Sequence, residues 1–226
     1  MLLLEELNKK YHDRKKFDCG LADVNDFLQK KANKQAQQSV NRTWVAIDHE
    51  TMRDLPAPIA GFFTLTSCTI AHQDISGQYP HYPLPAFKLA WIGVDDAYQG
   101  TPMRVGEELL LEALYQTWQL FTVTKLGVAI LVDPLTQDSE NFFGKHDFVG
   151  IGRKFHGQAT LYLPIEKIRR LIEQNLIVAA VEKFGSQQAA DRWFVTQNPI
   201  FGGTDPKQLM TEPGGVKELE QFLYGS

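Results

Sequence analysis

The sequence is poor in cysteine and contains no long apolar run. Its two cysteines, Cys19 and Cys68, cannot form the disulfide framework of a small secreted domain, and neither lies in a paired-cysteine metal spacing. The longest apolar runs, such as 177–181 and 128–132, are far shorter than the roughly 20 residues that a membrane-spanning helix needs. Glu5 and Glu6 follow the N-terminal apolar residues, which is unlike a signal peptide. We therefore expect a cytoplasmic protein without membrane contact.

Several catalytic signatures are also missing. The chain has no Gly-x-Ser-x-Gly elbow, no His-Glu-x-x-His and no Gly-x4-Gly-Lys-Ser/Thr phosphate loop. Its six histidines are scattered without metal-ligand spacing, so we expect no metal site. A lone Gly-x-Gly at 150–152 predicts a loop between a helix and the last strand.

The composition is that of a globular protein, with 43% hydrophobic and 22% charged residues in a chain of 226. The formal net charge is −4, but it is distributed unevenly. Residues 8–42 carry nine Lys and Arg against four Asp, a local charge of +5, so the rest of the chain carries −9. The basic N-terminal segment is therefore the feature best suited to binding a polyanion.

Hydrophobic spacing predicts strands and helices in the order βαβαβ after earlier strands, an α+β arrangement, followed by a small all-α domain. The predicted strands cover 43–47, 59–66, 87–94, 128–132 and 159–163, and the predicted helices cover 22–36, 106–121, 137–145 and 165–184. Residues 71–85 contain Gly77 and several prolines and are predicted to be irregular. The change of pattern after Pro164 places a domain boundary there, which divides the chain into 1–164 and 165–226.

An ordered set of motifs runs through the first part of the chain: 17–20 (FDCG), 25–28 (NDFL), 42–45 (RTWV), 61–66 (GFFTLT), 82–85 (YPLP), 89–95 (LAWIGVD), 98–100 (YQG) and 107–114 (EELLLEAL). In this order and spacing, the set resembles the GNAT acetyltransferases of bacterial toxin–antitoxin systems over about residues 5–165. The resemblance implies the GNAT mixed sheet, acetyl-CoA as cosubstrate, and N-acetylation of an amino acid attached to its tRNA.

The resemblance also assigns coenzyme-binding residues. It implies that the strand residues Trp91, Ile92, Gly93 and Val94 hold the pantetheine arm, and that the loop residues Gln99, Gly100, Arg104, Val105 and Gly106 hold the pyrophosphate. The loop departs from the family's Gln/Arg-x-x-Gly-x-Gly pattern. Either Pro102 and Arg104 stand where glycines belong, or two residues are inserted before Gly106.

Proline donates no N–H group, and side chains block a close approach of the backbone to a phosphate. Arg104 can offset this loss by pairing with a phosphate. The alternative is that the segment is only a turn that begins a core helix.

A second departure concerns the catalytic acid. Phe143 stands where toxins of this family carry a tyrosine, whose hydroxyl protonates the departing thiolate. A positioned general acid contributes about 10²–10⁴ in rate, and a phenyl ring has no proton to give. Either turnover is slow or another group substitutes. His146 and Tyr98 are the nearest candidates in sequence, although His146 is also typical of an exposed turn.

The resemblance implies RNA contacts as well. Lys30, Lys31, Lys34 and Arg42 would bind phosphates of a charged tRNA from the basic face of the first helix. An ordinary solvated helix face would carry the same residues, and the sequence does not separate these two interpretations.

The C-terminal part carries a second set of motifs: 192–194 (RWF), 198–203 (NPIFGG), 205–209 (DPKQL), 213–215 (PGG) and 223–225 (LYG). Over about residues 170–226 this set resembles the toxin-binding domain of the MbcA/ParS/Xre antitoxins. Thr204 or Asp205 is predicted to cap a helix that begins at Pro206, and Thr211 to cap another before Pro213. The predicted small core consists of Trp193, Phe194, Phe201, Leu209 and Phe222.

This second resemblance implies a homodimer that binds a toxin or antitoxin partner protein. Three functions follow from the two resemblances together. The first is an acetyl-CoA-dependent toxin-type enzyme fused to a protein-binding module. The second is a catalytically degenerate GNAT scaffold that acts as an antitoxin or assembly factor, and the third is an ordinary acetyltransferase of small amines or protein amino groups.

Overall fold

A computed structural model describes residues 2–49, 55–155 and 157–225. The strands are β1 (Leu2–Glu6), β2 (His12–Asp13), β3 (Arg42–Asp48), β4 (Ala57–Pro58), β5 (Gly61–Ile70), β6 (Leu84–Val94), β7 (Ala129–Val132), β8 (Val149–Phe155) and β9 (Gln158–Pro164). The helices are α1 (Ala22–Asp26), α2 (Ala32–Gln37), α3 (Val105–Thr124), α4 (Gln137–Lys145), α5 (Ile165–Phe184), α6 (Gln187–Phe194), α7 (Pro206–Leu209) and α8 (Gly215–Tyr224). None of the helices in the described ranges has the length and hydropathy needed to cross a bilayer.

The chain forms two compact units. The first contains the chain up to Leu114 together with Gly127–Leu163, and the second contains Tyr115–Leu126 together with the chain from Pro164 onward. Helix α3 therefore contributes its first half to one unit and its second half to the other. The sequence-based division into 1–164 and 165–226 did not assign Tyr115–Leu126 to the C-terminal helices.

The first unit is built on a seven-stranded mixed sheet in the order β1-β3-β5-β6-β7-β9-β8. Strands β1, β3, β5 and β6 pair antiparallel in succession, and β6 pairs with β7 in parallel. The predicted α+β class with a mixed sheet is thus confirmed. Strand β1 was not predicted, because its short apolar segment lies at the chain end without a turn signal before it.

One prediction for the far edge of the sheet was wrong. The Gly-x-Gly segment at 150–152 is part of strand β8, which pairs antiparallel with β9, and not a loop. The register shifts between Gly150 and Lys154, and Gly152 has φ +72°. The glycines therefore form a bulge within an edge strand, where a positive φ is tolerated without strain.

The predicted basic helix over 22–36 is present, but it is interrupted. Helices α1 and α2 are joined by one π-helical turn at Phe27–Lys31. The guanidinium of Arg14 donates a hydrogen bond to the carbonyl oxygen of Gln29 within that turn, at 2.8 Å. Helical spacing still buries Val24, Leu28 and Ala32 on one face, which is why the sequence pattern predicted a helix.

Strands β6 and β7 separate after a short parallel pairing. Only Phe87–Leu89 pair with Ile130–Val132. On its other edge β6 is paired with β5 so that Thr64 faces Trp91 while Leu65 faces Leu89, which leaves Ala90 as an extra bulged residue. A bulge bends its strand and increases the local twist. Pro134, two residues after β7, cannot continue a ladder of hydrogen bonds, so the two strands diverge from this point.

Two glycines allow helices to approach the sheet closely. A Cβ atom on Gly61 would lie 2.7 Å from a methyl carbon of Leu109 and 3.0 Å from one of Val105, both on α3. A Cβ atom on Gly93 would lie 2.9 Å from Val24 on α1. A side chain at either position would push a helix away from the sheet.

The second unit is a helical assembly around Trp118. This side chain is 1% exposed, and its indole N–H donates to the carbonyl oxygen of Met210 at 2.9 Å. The other fully buried core residues of the unit include Phe194, Met210, Val216 and Leu219. Of the five core residues predicted from sequence, Phe194 and Phe201 are buried, and Trp193, Leu209 and Phe222 are partly exposed.

The predicted caps of the second unit had different outcomes. The carboxylate of Asp205 accepts from the backbone N–H of Gln208 at 2.8 Å and caps α7, as predicted. Thr211 was predicted to cap a helix and does not, because its hydroxyl donates to the carbonyl oxygen of Gln208. Helix α8 begins instead after Gly214, which has φ +77° and no capping side chain.

Replacing Trp118 with alanine should destabilise the second unit strongly. The Trp118→Ala variant removes a buried indole and leaves a cavity, which costs about 3–5 kcal/mol of unfolding free energy. Denaturant unfolding followed by circular dichroism measures this change. Val123→Ala is the matched control on the same helix, since Val123 is 66% exposed, and we expect it to change the free energy by less than about 0.5 kcal/mol. Equal effects of the two substitutions would contradict the assignment of Trp118 to the core of this unit.

Candidate active site

The separation of β6 from β7 opens a cavity of about 370 Å³, which we call the strand cavity. Its walls come from α1, β6, the segment after β7, and α4. The lining residues are Leu21, Val24, Thr66, Lys88, Leu89, Ala90, Trp91, Ile92, Val132, Asp133, Pro134, Leu135, Ser139, Phe143 and Phe155. A mostly apolar cleft of this size with a few polar groups is typical of a small-molecule site.

A second cavity of about 330 Å³, the loop cavity, lies at the C-terminal end of β6 and the start of α3. Its lining residues are Val94, Tyr98, Gln99, Gly100, Thr101, Arg104, Val105, Gly106, Glu107 and Phe142. The start of a helix presents backbone N–H groups and the positive end of the helix dipole, both of which favour an anion.

The two cavities follow one another along the same elements. Trp91 and Ile92 line the strand cavity, and Val94 lines the loop cavity two residues later. On α4, Phe143 lines the first cavity and the adjacent Phe142 lines the second. The stretch of β6 from Lys88 to Val94 spans about 20 Å at 3.3 Å per residue. The geometry suits a long ligand with an anionic end in the loop cavity.

Gly93, predicted to bind a coenzyme, lines neither cavity. The space around its Cα is filled by Val24, Phe62 and Phe17, so this glycine admits the packing of α1. Trp91, by contrast, lines the strand cavity and stacks on Phe27 with ring centroids 4.8 Å apart.

Gln99 holds the loop in shape through its side-chain amide. The amide nitrogen donates to the carbonyl oxygens of Cys19 at 3.2 Å and Val94 at 2.9 Å, and to the carboxylate of Asp96 at 2.8 Å. Gly100 follows with φ +67° and open space where a Cβ atom would lie. Gln99 thus contributes to the cavity by positioning its wall.

Arg104 already has a partner in the chain. Its guanidinium forms an ion pair with Glu107 one turn into α3, and its own backbone has φ +48°, an uncommon conformation for a residue with a side chain. The N–H groups of Glu107 and Glu108 donate to the carbonyl oxygen of Arg104. The donors at the very start of the helix are therefore those of Val105 and Gly106.

The candidate acids named from the sequence lie in different places. Phe143 is 1% exposed and forms part of the strand-cavity wall, packed edge-on against Phe148. His146 ends α4, contacts the ring of Phe142 and lines neither cavity. Tyr98 lines the loop cavity and not the strand cavity.

The sequence reasoning missed a polar cluster where β6 and β7 begin to diverge. The ammonium of Lys88 forms an ion pair with one carboxylate oxygen of Asp133, and the hydroxyl of Thr160 donates to the other at 2.6 Å. The Lys88 ammonium also lies 6.0 Å from the centre of the Phe155 ring. The sequence offered one signal for this cluster, a single charged residue in each of two otherwise apolar segments, 86–94 and 128–134. Only the parallel pairing of β6 with β7 shows that these two charges lie together.

Cys68 lies close to this cluster but is not a nucleophile. Burial raises the pKa of its thiol to about 11, with a further increase from the charge of Asp133 that the charge of Lys88 opposes. The thiol donates to the carbonyl oxygen of Phe87 at 3.4 Å. At neutral pH this sulfur is protonated and unreactive.

The four basic residues predicted to contact RNA are all exposed. Lys30 forms an ion pair with Asp26 at 2.7 Å, and Arg42 forms one with Glu6 at 3.2 Å. Exposed ion pairs of this kind contribute little to stability, so both cations are accessible to a phosphate. Lys31 and Lys34 lie on the same helical segment.

No family model matches the chain, but the chain is similar to individual known proteins. The protein named Probable toxin TacT from Sinorhizobium fredii (strain NBRC 101917 / NGR234) is 26% identical over 182 residues, which cover 75% of this chain and 94% of that protein. Over about three quarters of its length, this chain is therefore similar to a GNAT-type toxin acetyltransferase.

Solved structures extend the comparison to the fold. AtaT complexed with acetyl-methionyl-tRNAfMet has a TM-score of 0.65 at 19% identity and covers 76% of this chain and 99% of its own. A Tyr-to-Phe mutant of AtaT, bound to the C-terminus of the antitoxin AtaR and acetyl-CoA, has a TM-score of 0.61 at 20% identity, covering 75% and 97%. A Tyr-to-Phe mutant of KacT has a TM-score of 0.65 at 20% identity, covering 75% and 98%.

The chain has a GNAT-like fold. This agrees with the first resemblance found in the sequence. The resemblance of the C-terminal helices to an antitoxin domain stays a prediction.

Proposed function

We propose that this protein transfers an acetyl group from acetyl-CoA to the amino group of an amino acid attached to tRNA. The observation that carries the proposal is the divergence of β6 and β7, which opens the strand cavity directly alongside the anion-binding geometry of the loop cavity. The similarity to Probable toxin TacT and to AtaT in complex with acetyl-methionyl-tRNAfMet supports the same reaction.

The residues of the two cavities fit acetyl-CoA. The apolar wall formed by Ala90, Trp91 and Ile92 suits the pantetheine arm. The N–H groups of Val105 and Gly106, together with Arg104, suit the pyrophosphate. Pro102 removes one backbone donor from the loop, so we assign a larger share of anion binding to Arg104 than a glycine-rich loop would require.

Two features also favour a second candidate, a GNAT scaffold without turnover. Phe143 places no proton donor in the cavity wall, and Arg104 is tied to Glu107. The third candidate, an ordinary acetyltransferase of small amines, is less well supported. Exposed basic residues cluster on the helical segment from Lys30 to Lys34, and such a cluster suits a phosphate-rich substrate better than a small amine.

Acetyl transfer to charged tRNA is the test that separates these candidates. Purified protein is incubated with labelled acetyl-CoA and either bulk aminoacyl-tRNA, the same tRNA without amino acids, or free amino acids. We expect label only on aminoacyl-tRNA. The double variant Lys31→Glu/Lys34→Glu should lower kcat/KM for tRNA by about tenfold or more and leave the affinity for acetyl-CoA unchanged, since phosphate contacts govern RNA binding. Acetylation of free amines at an equal rate would contradict the proposal, and binding of acetyl-CoA without any transfer would favour the scaffold.

Removing the charge of Glu107 should make the protein bind acetyl-CoA more tightly, which tests whether the loop cavity binds the pyrophosphate. The Glu107→Gln variant releases Arg104 from its ion pair and removes a negative charge from the cavity wall. Calorimetry should show acetyl-CoA binding more tightly by about threefold to tenfold, equivalent to roughly 0.7–1.4 kcal/mol. Glu108→Gln is the matched control, because Glu108 is adjacent on the helix but does not line the cavity. Unchanged or weaker binding in Glu107→Gln would show that the pyrophosphate lies elsewhere.

For the second unit we propose a protein-binding role, as the resemblance to antitoxin toxin-binding domains implies. Trp193 stacks on Phe222 with ring planes 9° apart, and its buried indole N–H has no hydrogen-bond partner in the described part of the chain. Val195 and Ile200 are exposed nearby in sequence, at 61% and 66%. Large apolar side chains that are exposed to this extent are candidates for a protein interface.

We expect this surface to form a homodimer. Light scattering on the purified chain should give the mass of a dimer, and Ile200→Glu should give that of a monomer, because it places a charge in a desolvated contact. Lys217→Glu, on the exposed side of α8, should stay dimeric. A monomeric parent protein at tens of micromolar, or a dimer that Ile200→Glu leaves intact, would contradict this proposal.

A further inference from the structure

The proposed reaction requires a proton donor that Phe143 does not supply. When an amine attacks a thioester, the sulfur leaves with an electron pair and needs a proton, and a positioned donor accelerates this step by about 10²–10⁴. The donor must line the strand cavity, because the apolar wall of β6 leads there from the loop cavity.

The location of the sulfur follows from the direction of the groove. In the proposed complex the pyrophosphate would occupy the loop cavity, at the C-terminal end of β6. The arm then runs back along β6 toward the point where β6 and β7 meet, at Leu89 and Val132. The reacting thioester of the proposed complex would then lie where β6 and β7 meet, at the end of the strand cavity that Lys88 and Asp133 line.

Few polar groups face this end of the groove. Among the residues that line the strand cavity, only Lys88 and Asp133 are ionisable. The two hydroxyl groups are already engaged, since Thr66 donates to the carbonyl oxygen of Val40 at 2.7 Å and Ser139 donates to that of Thr136 at 2.8 Å. The Lys88 ammonium has three protons, and its ion pair with Asp133 directs only one of them.

The ion pair between Lys88 and Asp133 is partly buried. Asp133 is 13% exposed and is fixed by the hydroxyl of Thr160, and Lys88 is 33% exposed. Burying such a pair gains little net stability, because desolvation offsets the Coulomb attraction. The contribution of the pair to stability therefore does not explain why a lysine lines this otherwise apolar cavity. A role as proton donor would explain it.

We propose that Lys88 is the catalytic proton donor of this protein, with Asp133 orienting its ammonium toward the thioester sulfur. The inference rests on the proposed acetyl transfer. His146 lines neither cavity and Tyr98 lies at the opposite end of the groove, so neither reaches the sulfur.

Every bond and proton in the proposed acetyl transfer is accounted for. The acceptor nitrogen forms a bond to the carbonyl carbon, and the carbon–sulfur bond breaks with its electrons going to sulfur. Lys88 gives one proton to that sulfur, which leaves as the thiol of coenzyme A. The nitrogen then gives its surplus proton to the neutral Lys88 amine, so the ammonium is restored and the products are the amide and the thiol.

Kinetics of two lysine variants test the role of the proton. Lys88→Met keeps the length of the side chain without a proton, and Lys88→Arg keeps the charge and the ion pair, but a guanidinium does not release a proton. Both should lower kcat by about 10²-fold or more, with KM for acetyl-CoA changed by less than about threefold. Lys217→Met is the control and should match the parent.

Rescue distinguishes proton donation from a structural role. Phe143→Tyr places a hydroxyl on the same cavity wall. In the Lys88→Met background it should restore kcat by about tenfold or more, because the new hydroxyl group supplies the missing proton donor. A structural defect in Lys88→Met would not respond to a new hydroxyl group.

A binding measurement provides a readout besides activity. Calorimetry compares coenzyme A with desulfo-coenzyme A, which lacks the sulfur. The parent protein should prefer coenzyme A increasingly as the pH is raised, because the ammonium stabilises the bound thiolate, and Lys88→Met should bind the two equally.

The outcomes separate this inference from the proposed function. An active parent with unchanged kcat in both lysine variants overturns the role of Lys88 and leaves acetyl transfer standing. A parent that transfers no acetyl group but prefers coenzyme A through Lys88 overturns the proposed function and supports the placement of Lys88 at the sulfur. Equal binding of the two ligands by the parent overturns that placement.

Discussion

The separation of β6 from β7 is the constraint on which the candidate site depends. A sheet normally continues its hydrogen bonds across neighbouring strands, and here the pairing stops after three residues on each strand. Two local features act together. Ala90 forms a bulge on the β5 side of β6, and Pro134 follows the end of β7. Without the divergence, continued hydrogen bonds between β6 and β7 would close the space along Trp91 and Ile92, and the start of α3 would have no adjoining channel.

Glycines in β6 and in the neighbouring strand β5 allow helices to pack closely against the sheet. Gly93 admits helix α1, and Gly61, opposite Val94 in the neighbouring strand, admits helix α3. These glycines let both helices approach the sheet, and α3 in turn supplies the N-terminal amides of the loop cavity. The architecture therefore sets the position of the groove, while side chains such as Lys88 and Arg104 set its chemistry.

Helix α3 has a different role in each half. Its first half places Val105, Leu109 and Leu110 in the core of the first unit, and its second half supplies Trp118 to the second. A helix of 20 residues, about 30 Å long, can serve two cores because its apolar positions continue along its length. The C-terminal helices are thus built around a segment located far from them in the sequence.

Much of this organisation can be derived from the sequence. Helical periodicity predicted the bounds of α4 and α5 and those of α3 to within three residues, and runs of apolar and β-branched residues predicted β3, β5, β6 and β7. These elements bury one face or a whole strand, so their patterns are local and strong. Ordered motifs predicted the GNAT-like fold, and the Asp205 cap followed from the preference of a carboxylate for free N–H groups.

Long-range pairing decided the rest. Arg14 donates a hydrogen bond to the π-helical turn from 15 positions away, and the place of Phe143 in the cavity wall depends on how α4 packs. Lys88 and Asp133 lie 45 positions apart, and only the parallel register of β6 and β7 joins them. The sequence by itself determined the elements and the fold, because those arise from local periodicity and ordered motifs. The tertiary structure alone decided which charges meet at the closed end of the groove, since strand register is a property of the assembled sheet.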